Sequence, residues 1–223
     1  MSDHLDDRLA MVRENGPDGT VSYQGFKRRF VERASLQLER DTGDHVFNPD
    51  LPPYAAWKGE PRRAAVLIPL IERRNEAYVI LTLRTPHLRS HAGQIAFPGG
   101  KIDPEDANPT AAALREAHEE IGLAPARVAV LGELAPYRTG SGYHIVPVLG
   151  EVVSDVRLVA NPAEVADVFE VPLSFLMNPE NHQKKSRPWE GQERYFYAMP
   201  FENRYIWGVT AGILRSLFET VYG

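Results

Sequence analysis

The sequence predicts an α/β fold, a sandwich in which helices lie on both faces of a mixed β-sheet. Three observations favour this fold. Apolar, strand-like runs make up most of the chain from residue 63 onwards. A helix is predicted directly after the paired glycines Gly99 and Gly100. A second helical pattern, TAGILRSLFETVY, closes the chain. Strands interspersed with a few helices are typical of a mixed sheet that is covered on both sides.

The first 60 residues differ in sequence pattern from the rest of the chain, since they contain helical patterns and a proline-rich run but no strand-like run. DDRLAMVREN and GFKRRFVERASLQLER have helical patterns, and the run NPDLPPYAAWKGEP contains four prolines and no clear period. The residues expected to pack from the second helix are Phe26, Phe30, Leu36 and Leu38. We therefore expect residues 1–60 to form a helical extension and connector, and residues 61–223 to form the main domain.

The strands of the main domain follow one another with recognisable turns. AAVLIPLIER and AYVILTLR predict a hairpin that turns at RNE, and RVAVLGELAPYR and HIVPVLGEVV predict two further strands. EVADVFEVPLSFL predicts a strand that runs into a short helix, and ERYFYAMPFENRYIWGV predicts a hairpin that turns at ENR. No internal repeat is present.

Composition excludes several classes of protein. The chain of 223 residues has a net charge of −5, so no broad basic field indicates nucleic-acid or membrane partners. It has no cysteine, which removes disulfides, thiolate zinc sites and cysteine nucleophiles. Its longest apolar runs are too short to span a bilayer, and its N-terminus is unlike a targeting peptide. We expect a cytoplasmic protein without nucleic-acid or membrane partners.

The predicted helix over 109–122 concentrates acidic residues. At about 100° per residue, one stripe of the helix is apolar and is expected to face the core. That stripe consists of Thr110, Leu114, Ala117 and Ile121. Glu116, Glu119 and Glu120 fall together on the opposite side, at spacings where like charges destabilise a helix. Clustered carboxylates are ligands for hard divalent cations, so the pattern predicts a metal site.

The same segment has simpler interpretations. A glutamate-rich helix face is most often only a solvated surface. His118 does not begin an HExxH zinc motif, because residue 122 is glycine. Lys101 is followed by isoleucine rather than by Ser or Thr, so the glycines do not form a P-loop. The glycine turn next to the helix, whose backbone can approach a metal or phosphate closely, favours the metal site.

The segment from Gly100 to Leu123 resembles the Nudix box, the loop–helix signature of the Nudix hydrolases. That signature is Gly, five residues, Glu, seven residues, then Arg-Glu-aliphatic-x-Glu-Glu-x-Gly-aliphatic. Its end is matched by Arg115, Glu116, Ala117, Glu119, Glu120, Gly122 and Leu123. The segment departs from the signature twice. Asp106 replaces the first Glu, and eight residues separate it from Arg115.

The stretch before the box, Ile80 to Gly100, resembles the additional signature of the coenzyme A pyrophosphatase branch, L-L-T-x-R-[S/T]-x3-R-x3-G-x3-F-P-G-G. The matching residues are Leu81, Thr82, Arg84, Thr85, Arg89, Gly93, Phe97, Pro98, Gly99 and Gly100. The resemblance implies the Nudix α/β/α sandwich and a metal-dependent hydrolysis of coenzyme A, or of its derivatives, to 3′,5′-ADP and 4′-phosphopantetheine. It also accounts for both departures in the box.

The resemblance implies a role for each residue of the box. Glu116 and Glu120 would bind Mg²⁺ or Mn²⁺ directly, with Glu119 as a third acid that binds metal or positions water. The Gly100 carbonyl would add a ligand. Arg115 would pair with an acid in the loop and hold the loop on the helix. That acid is expected to be Asp106.

The general base is expected to come from outside the box. Glu164, which precedes a predicted strand, is the candidate, with Glu119 or Glu116 as the rival and a helix-cap or surface role as the alternative.

Residues Arg84, Arg89, His91 and Gln94 are candidates for substrate contact, since a 3′-phosphate requires cations. A structural role for each is an equal alternative. Two other functions stay open, namely hydrolysis of another diphosphate such as ADP-ribose or a dinucleotide, and a non-catalytic Nudix domain that binds a nucleotide. The intact REAHEE run argues against the second. Many Nudix proteins dimerise, and residues 1–60 are where a homodimer contact would be expected.

Overall fold

The computed structural model describes residues 22–48, 60–74, 76–88, 91–189 and 191–223. The helix predicted over DDRLAMVREN and most of the proline-rich connector lie outside these residues. Within the described ranges, no helix is long and apolar enough to cross a membrane.

Four α-helices are described: α1 Tyr23–Ala34, α2 Pro109–Ile121, α3 Leu173–Leu176 and α4 Val209–Tyr222. The strands are β1 Thr42–Gly43, β2 Arg62–Arg73, β3 Glu76–Arg84, β4 Ile95–Ala96, β5 Gly99–Lys101, β6 Val128–Glu133, β7 Tyr137–Arg138, β8 Tyr143–Val152, β9 Val165–Pro172, β10 Gln183–Trp189, β11 Gln192–Phe201 and β12 Arg204–Trp207.

Most of the described strands form one mixed sheet. Its main path runs β1-β7-β8-β2-β3-β4, with β5 paired to β2, β6 to β8 and β9 to β3. Strands β2 and β3 form the predicted antiparallel hairpin, whereas β2 and β8 are parallel. A second, antiparallel sheet has the order β10-β11-β12 and contains the hairpin predicted to turn at ENR.

Strand β2 is buried on both faces, which explains its continuous apolar run. Leu67 and Ile71 point to one side of the sheet and pack in a core with α2. Ile68 and Leu70 point to the other side and belong to a larger core. Successive side chains alternate between faces, so a single strand contributes to both cores.

The two cores place helices on opposite faces of the sheet. Helix α2 contributes Ala113, Ala117 and Ile121 to the first core. Helices α1 and α4 contribute to the second, where Phe30 and Phe218 are fully buried. The prediction of a mixed sheet between helices is therefore confirmed.

The predicted packing of the N-terminal helix is right at two positions and wrong at two. Phe26 and Phe30 are 1% and 0% exposed, but Leu36 is 82% exposed and Leu38 is 42% exposed. Helix α1 ends at Ala34 and the chain continues as a 3₁₀ turn. The change of helical period rotates the later leucines away from the core.

Helix α2 begins and ends at the predicted residues for local reasons. The Asn108 side chain accepts the Ala111 N–H at 2.8 Å, Pro109 occupies the first helical position, and Gly122 ends the helix at φ 67°.

The predicted solvent face of α2 is wrong at Glu120, which is only 2% exposed. The chain at Gly99 and Gly100 crosses the helix there and covers the carboxylate, which a helical projection of α2 alone does not include. Thr110 and Leu114 of the predicted core stripe are only half-buried.

Candidate active site

The paired glycines bring the backbone of β5 directly against α2. A Cβ atom on Gly100 would lie 2.5 Å from the carboxylate of Glu116, and one on Gly99 would lie 2.6 Å from the Val66 Cα atom. At Gly99 the close atoms belong to the backbone of β2, so a larger residue would push the strands apart. At Gly100 they belong to the end of the Glu116 side chain, so a larger residue would displace that carboxylate instead. Close approach therefore requires glycine at Gly99 and keeps the Glu116 carboxylate in place at Gly100.

Glu120 is a buried carboxylate at the centre of the site. Its Oε2 atom accepts the Gly99 N–H at 3.1 Å, and its Oε1 atom lies 3.5 Å from Arg84 Nη1. Burial raises the pKa of Glu120 to about 7, and the charges of Glu116 and Glu164 add to that rise. The Gly99 N–H and Arg84 act in the opposite direction.

Glu116 and Glu164 share this electrostatic environment. The Glu116 side chain is 16% exposed, and burial raises its pKa above the ordinary value. Arg115 opposes that rise, while the charges of Glu119 and Glu164 increase it. Glu164, which sequence analysis selected from outside the box, is thus close enough to act on two of the box carboxylates.

Arg115 joins the loop after the glycines to the helix. Its Nε and Nη2 atoms donate to the two oxygens of Asp106 at 3.0 and 2.9 Å, a bidentate pair. Its Nη1 atom donates to Glu116 and to Glu119, each at 3.1 Å, and Nη2 also donates to the Lys101 carbonyl. The extra residue between Asp106 and Arg115 does not prevent this contact.

Glu164 lies on the turn that precedes β9, and hydrogen bonds join this turn to the end of α2 and to the residue that follows β3. The Asn161 N–H donates to the Glu120 carbonyl at 2.8 Å, and the Thr85 N–H donates to the Glu164 carbonyl at 2.9 Å. Sequence analysis did not select Asn161. Its position before a proline, which is typical of a turn, was the available signal.

The segment before the box is closed on itself by backbone hydrogen bonds. Arg84 N–H donates to the Gln94 carbonyl at 2.9 Å, and Gly93 N–H donates to the Arg84 carbonyl at 3.2 Å. The His91 Nδ1 atom lies 2.8 Å from Gln94 Oε1, and His91 has φ 58°. Three of the four candidate substrate residues thus lie in one closed loop, whereas Arg89 lies outside the described residues.

The donor set fits a hard divalent cation. Within the described ranges, no three acidic or imidazole side chains converge as a ready-made metal cluster. In this arrangement, Arg115 and Arg84 lie against the carboxylates. The charge of Glu164 contributes to the raised pKa of both Glu116 and Glu120, and the charge of Glu116 contributes to that of Glu120. Carboxylate oxygens are the type of donor that Mg²⁺ or Mn²⁺ prefers.

Comparison with known proteins gives a consistent result. A family model described as the NUDIX domain matches residues 61–190. Proteins named "Uncharacterized Nudix hydrolase NudL" from Yersinia pestis (strain Pestoides F) and Yersinia pseudotuberculosis serotype O:1b are 41% identical over 200 residues, covering 88% of this chain and 95% of each relative.

Among solved structures, the Nudix hydrolase RenU from M. smegmatis is 26% identical with a TM-score of 0.43, covering 52% of this chain and 73% of that one. A NUDIX hydrolase from Alicyclobacillus acidocaldarius is 17% identical with a TM-score of 0.46, covering 74% and 95%.

Proposed function

Because this chain belongs to the NUDIX domain family and is a hydrolase of nucleoside diphosphate derivatives, we propose that its substrate is coenzyme A or a derivative of it. The reaction is hydrolysis of the diphosphate bond, which yields 3′,5′-ADP and 4′-phosphopantetheine. Mg²⁺ or Mn²⁺ is the proposed cofactor.

The observation that carries the substrate proposal is the segment from Ile80 to Gly100. Its sequence resembles the coenzyme A branch signature, and two of its residues, Arg84 and Gly99, contact the carboxylate of Glu120 in the box. Arg84 lies beside Glu120, and the Gly99 N–H donates to the same carboxylate. A segment that contacts a proposed metal ligand is suited to contacting the groups that flank the diphosphate.

The proposed metal ligands are Glu116 and Glu120, with the Gly100 carbonyl and Glu119 as further candidates. A bound divalent cation would neutralise the diphosphate and lower the pKa of an attached water. The protein's own contribution is to hold the carboxylates at the turn. Arg115, which donates to Glu116 and Glu119, orients two of them.

Glu164 is the proposed general base that takes the proton of the attacking water. Its charge acts on Glu116 and Glu120, which supports a place beside the reacting diphosphate. The rivals are Glu119 and Glu116, whose carboxylates each accept a hydrogen bond from Arg115 at 3.1 Å. A carboxylate that is already paired with a guanidinium is a weaker base, which favours Glu164.

Recognition of the 3′-phosphate is assigned to the cations of the segment before the box, Arg84, Arg89 and His91, with Gln94 as a hydrogen-bonding partner. Arg84 is half-buried and has a buried Nε atom without a hydrogen-bond partner among the described residues. That atom is enclosed by the protein, but the guanidinium as a whole is a charged, planar donor of the kind that binds phosphate oxygens.

The test is the kcat/KM for coenzyme A, dephospho-coenzyme A and ADP-ribose, measured with Mg²⁺ and again with Mn²⁺. One charge-assisted hydrogen bond to the 3′-phosphate should make coenzyme A better than dephospho-coenzyme A by roughly 10- to 100-fold. ADP-ribose should be poorer because it lacks both the 3′-phosphate and the pantetheine arm.

Equal values for the first two substrates would remove the 3′-phosphate argument and leave the reaction class. A clear preference for ADP-ribose would overturn the substrate proposal. Tight binding without any cleavage would favour the non-catalytic alternative.

A further inference from the structure

The connection between β8 and β9, residues 153–164, passes over the C-terminal end of α2. The Val159 N–H donates to the Ile121 carbonyl at 2.9 Å, and the Asn161 N–H donates to the Glu120 carbonyl at 2.8 Å. The last carbonyls of a helix have no partner within the helix. Here two of them are satisfied by this connection, so it is joined to the helix at the residue that carries the buried carboxylate.

Asn161 then closes the turn that carries Glu164. Its side-chain oxygen Oδ1 accepts the Ala163 N–H at 3.1 Å. Its carbonyl accepts the N–H groups of Glu164 at 3.0 Å and Val165 at 2.8 Å. The Asn161 N–H is bonded to α2, and the Asn161 acceptors are bonded to the next residues of the turn. Asn161 therefore connects the helix to the turn that carries Glu164. Asparagine before Pro162 is suited to this, because its short side chain can bond to the backbone two residues on.

The opposite side of the turn is fixed by Thr85, the residue that follows β3. The buried Thr85 donates its N–H to the Glu164 carbonyl at 2.9 Å, and its hydroxyl lies 3.5 Å from the Ala163 carbonyl. The Glu164 backbone is therefore held between Thr85 and the helix. Glu164 is carried on the same turn whose Asn161 N–H is bonded to the backbone carbonyl of Glu120, so the turn places Glu164 next to the end of α2.

We propose that Asn161 is a positioning residue for the reaction: it fixes the carboxylate of Glu164 relative to Glu116 and Glu120, and affects turnover only through Glu164. The expected effect of Asn161 on kcat rests on the function proposed above. Its expected effect on the order of the turn rests only on the hydrogen bonds of Asn161.

The kinetic test is a double-mutant cycle. Asn161→Ala removes the bond to the Ala163 N–H and should lower kcat for coenzyme A by roughly 10-fold, with KM changed less than about twofold. In a Glu164→Gln background the same substitution should cost less than about twofold further, because the group it positions no longer accepts a proton. Asn161→Asp retains an acceptor and should restore kcat to within about threefold of wild type.

The chain offers a matched control in a second Asn-Pro turn. Asn178 precedes Pro179, and its Oδ1 atom accepts the Glu180 N–H at 3.1 Å. The backbone bonds of this turn run to Phe175 and Asn181. Asn178→Ala removes the same type of hydrogen bond and should leave kcat within about twofold of wild type.

A second measurement follows the turn itself, without enzyme activity. Amide hydrogen exchange at Ala163, Glu164 and Val165 should become roughly 5- to 10-fold faster in Asn161→Ala and should stay near wild type in Asn161→Asp. Exchange that does not change would overturn the inference.

An equal loss of kcat in the wild-type and Glu164→Gln backgrounds would also overturn it, since Asn161 would then act by another route. Failure of the wild-type protein to cleave any of the three diphosphates would instead overturn the proposed function. In that case, exchange alone decides whether Asn161 fixes Glu164.

Discussion

Glu120 has two properties that seldom occur together, since it is an acidic residue of the Nudix box and is 2% exposed. Burial disfavours the charged form, and only the Gly99 N–H and Arg84 offset that cost. The carboxylate is therefore unfavourable for folding in the absence of a cation, and it is retained at a position where a cation would neutralise it.

Changing Glu120 to Gln should separate the role of this carboxylate in turnover from its cost to folding stability. We expect kcat to fall by roughly 10²-fold or more, because the proposed metal loses a charged ligand. The melting temperature should stay the same or rise, because a neutral amide can still accept the Gly99 N–H and has a smaller desolvation cost. Turnover is measured at saturating Mg²⁺, and melting is measured without metal. Near-normal kcat in a folded protein would refute the ligand assignment.

His182 should make stability depend on pH. It is 8% exposed, its Nε2 atom lies 2.7 Å from the Leu176 carbonyl, and its ring packs edge-on against Phe218. Burial lowers its pKa to about 4. The unfolded chain binds a proton near pH 6.5, so the stabilisation is complete above that pH and is lost as pH falls from about 6.5 towards 4.

Urea unfolding measures this effect. The free energy of unfolding should be about 1 kcal/mol lower at pH 5.5 than at pH 7.5 through His182 alone. His182→Gln should remove that part of the difference. His87, which is exposed, provides the control, and His87→Gln should leave the difference unchanged. An identical pH dependence in wild type and His182→Gln would show that this histidine titrates normally.

At the scale of elements, a bidentate ion pair between Asp106 and Arg115 joins the loop after β5 to α2, beside a longer ion pair of Arg115 with Asp103 at 3.6 Å. Asp106 is 7% exposed at its side chain and Arg115 is 29% exposed. The guanidinium lowers the pKa of the Asp106 carboxyl. A double-mutant cycle with Asp106→Asn and Arg115→Met should give a coupling energy of roughly 0.5–3 kcal/mol in stability or activity.

An exposed ion pair serves as the control for the Asp106–Arg115 double-mutant cycle. Arg127 and Asp155 also form an ion pair, but their side chains are 42% and 78% exposed. Water screens such a pair, so its coupling energy should be below about 0.5 kcal/mol. Coupling at Asp106 and Arg115 that is no larger than at this pair would mean that the loop is not held by their contact.

Elements with local signals could be predicted from the sequence. The bounds of α2 follow from Asn108, Pro109 and Gly122, which act on their own neighbours. The hairpin of β2 and β3 follows from two apolar runs and a short turn. The box glutamates were found because their spacing on a single helix is a local property.

Features that depend on distant segments could not be predicted in the same way. Glu120 is buried by a turn some twenty residues earlier, which a helical projection does not contain. Asn161 is joined to α2 by a backbone hydrogen bond. Every residue type has a backbone N–H except proline, so the pattern of side chains does not indicate such a bond. Leu36 was assigned to the core because its spacing fits a helix that in fact ends at Ala34.

At the scale of the molecule, the face opposite α2 is closed by α1 and α4. Tyr23, Phe26 and Phe30 of α1 are buried in the core that also contains Phe218 of α4. The Arg33 Nη1 atom donates to the carbonyls of Val221 and Gly223 at the end of α4. We propose that the residues before 61 complete this core. The boundary at residue 60 and the homodimer both stay predictions.

Removing residues 1–60 should therefore destabilise the protein severely. Three buried aromatic side chains contribute roughly 1.5–3 kcal/mol each, so their sum is comparable to the whole stability of a domain. We expect the shortened chain to unfold at much lower urea concentration or to aggregate. Phe30→Ala in the full chain should cost about 3–5 kcal/mol, whereas Leu36→Ala, at a position 82% exposed, should cost less than about 0.5 kcal/mol. If residues 61–223 unfold at the same urea concentration as the full chain, the domain is complete without α1. The buried aromatic residues of that helix would then have to be explained by another role.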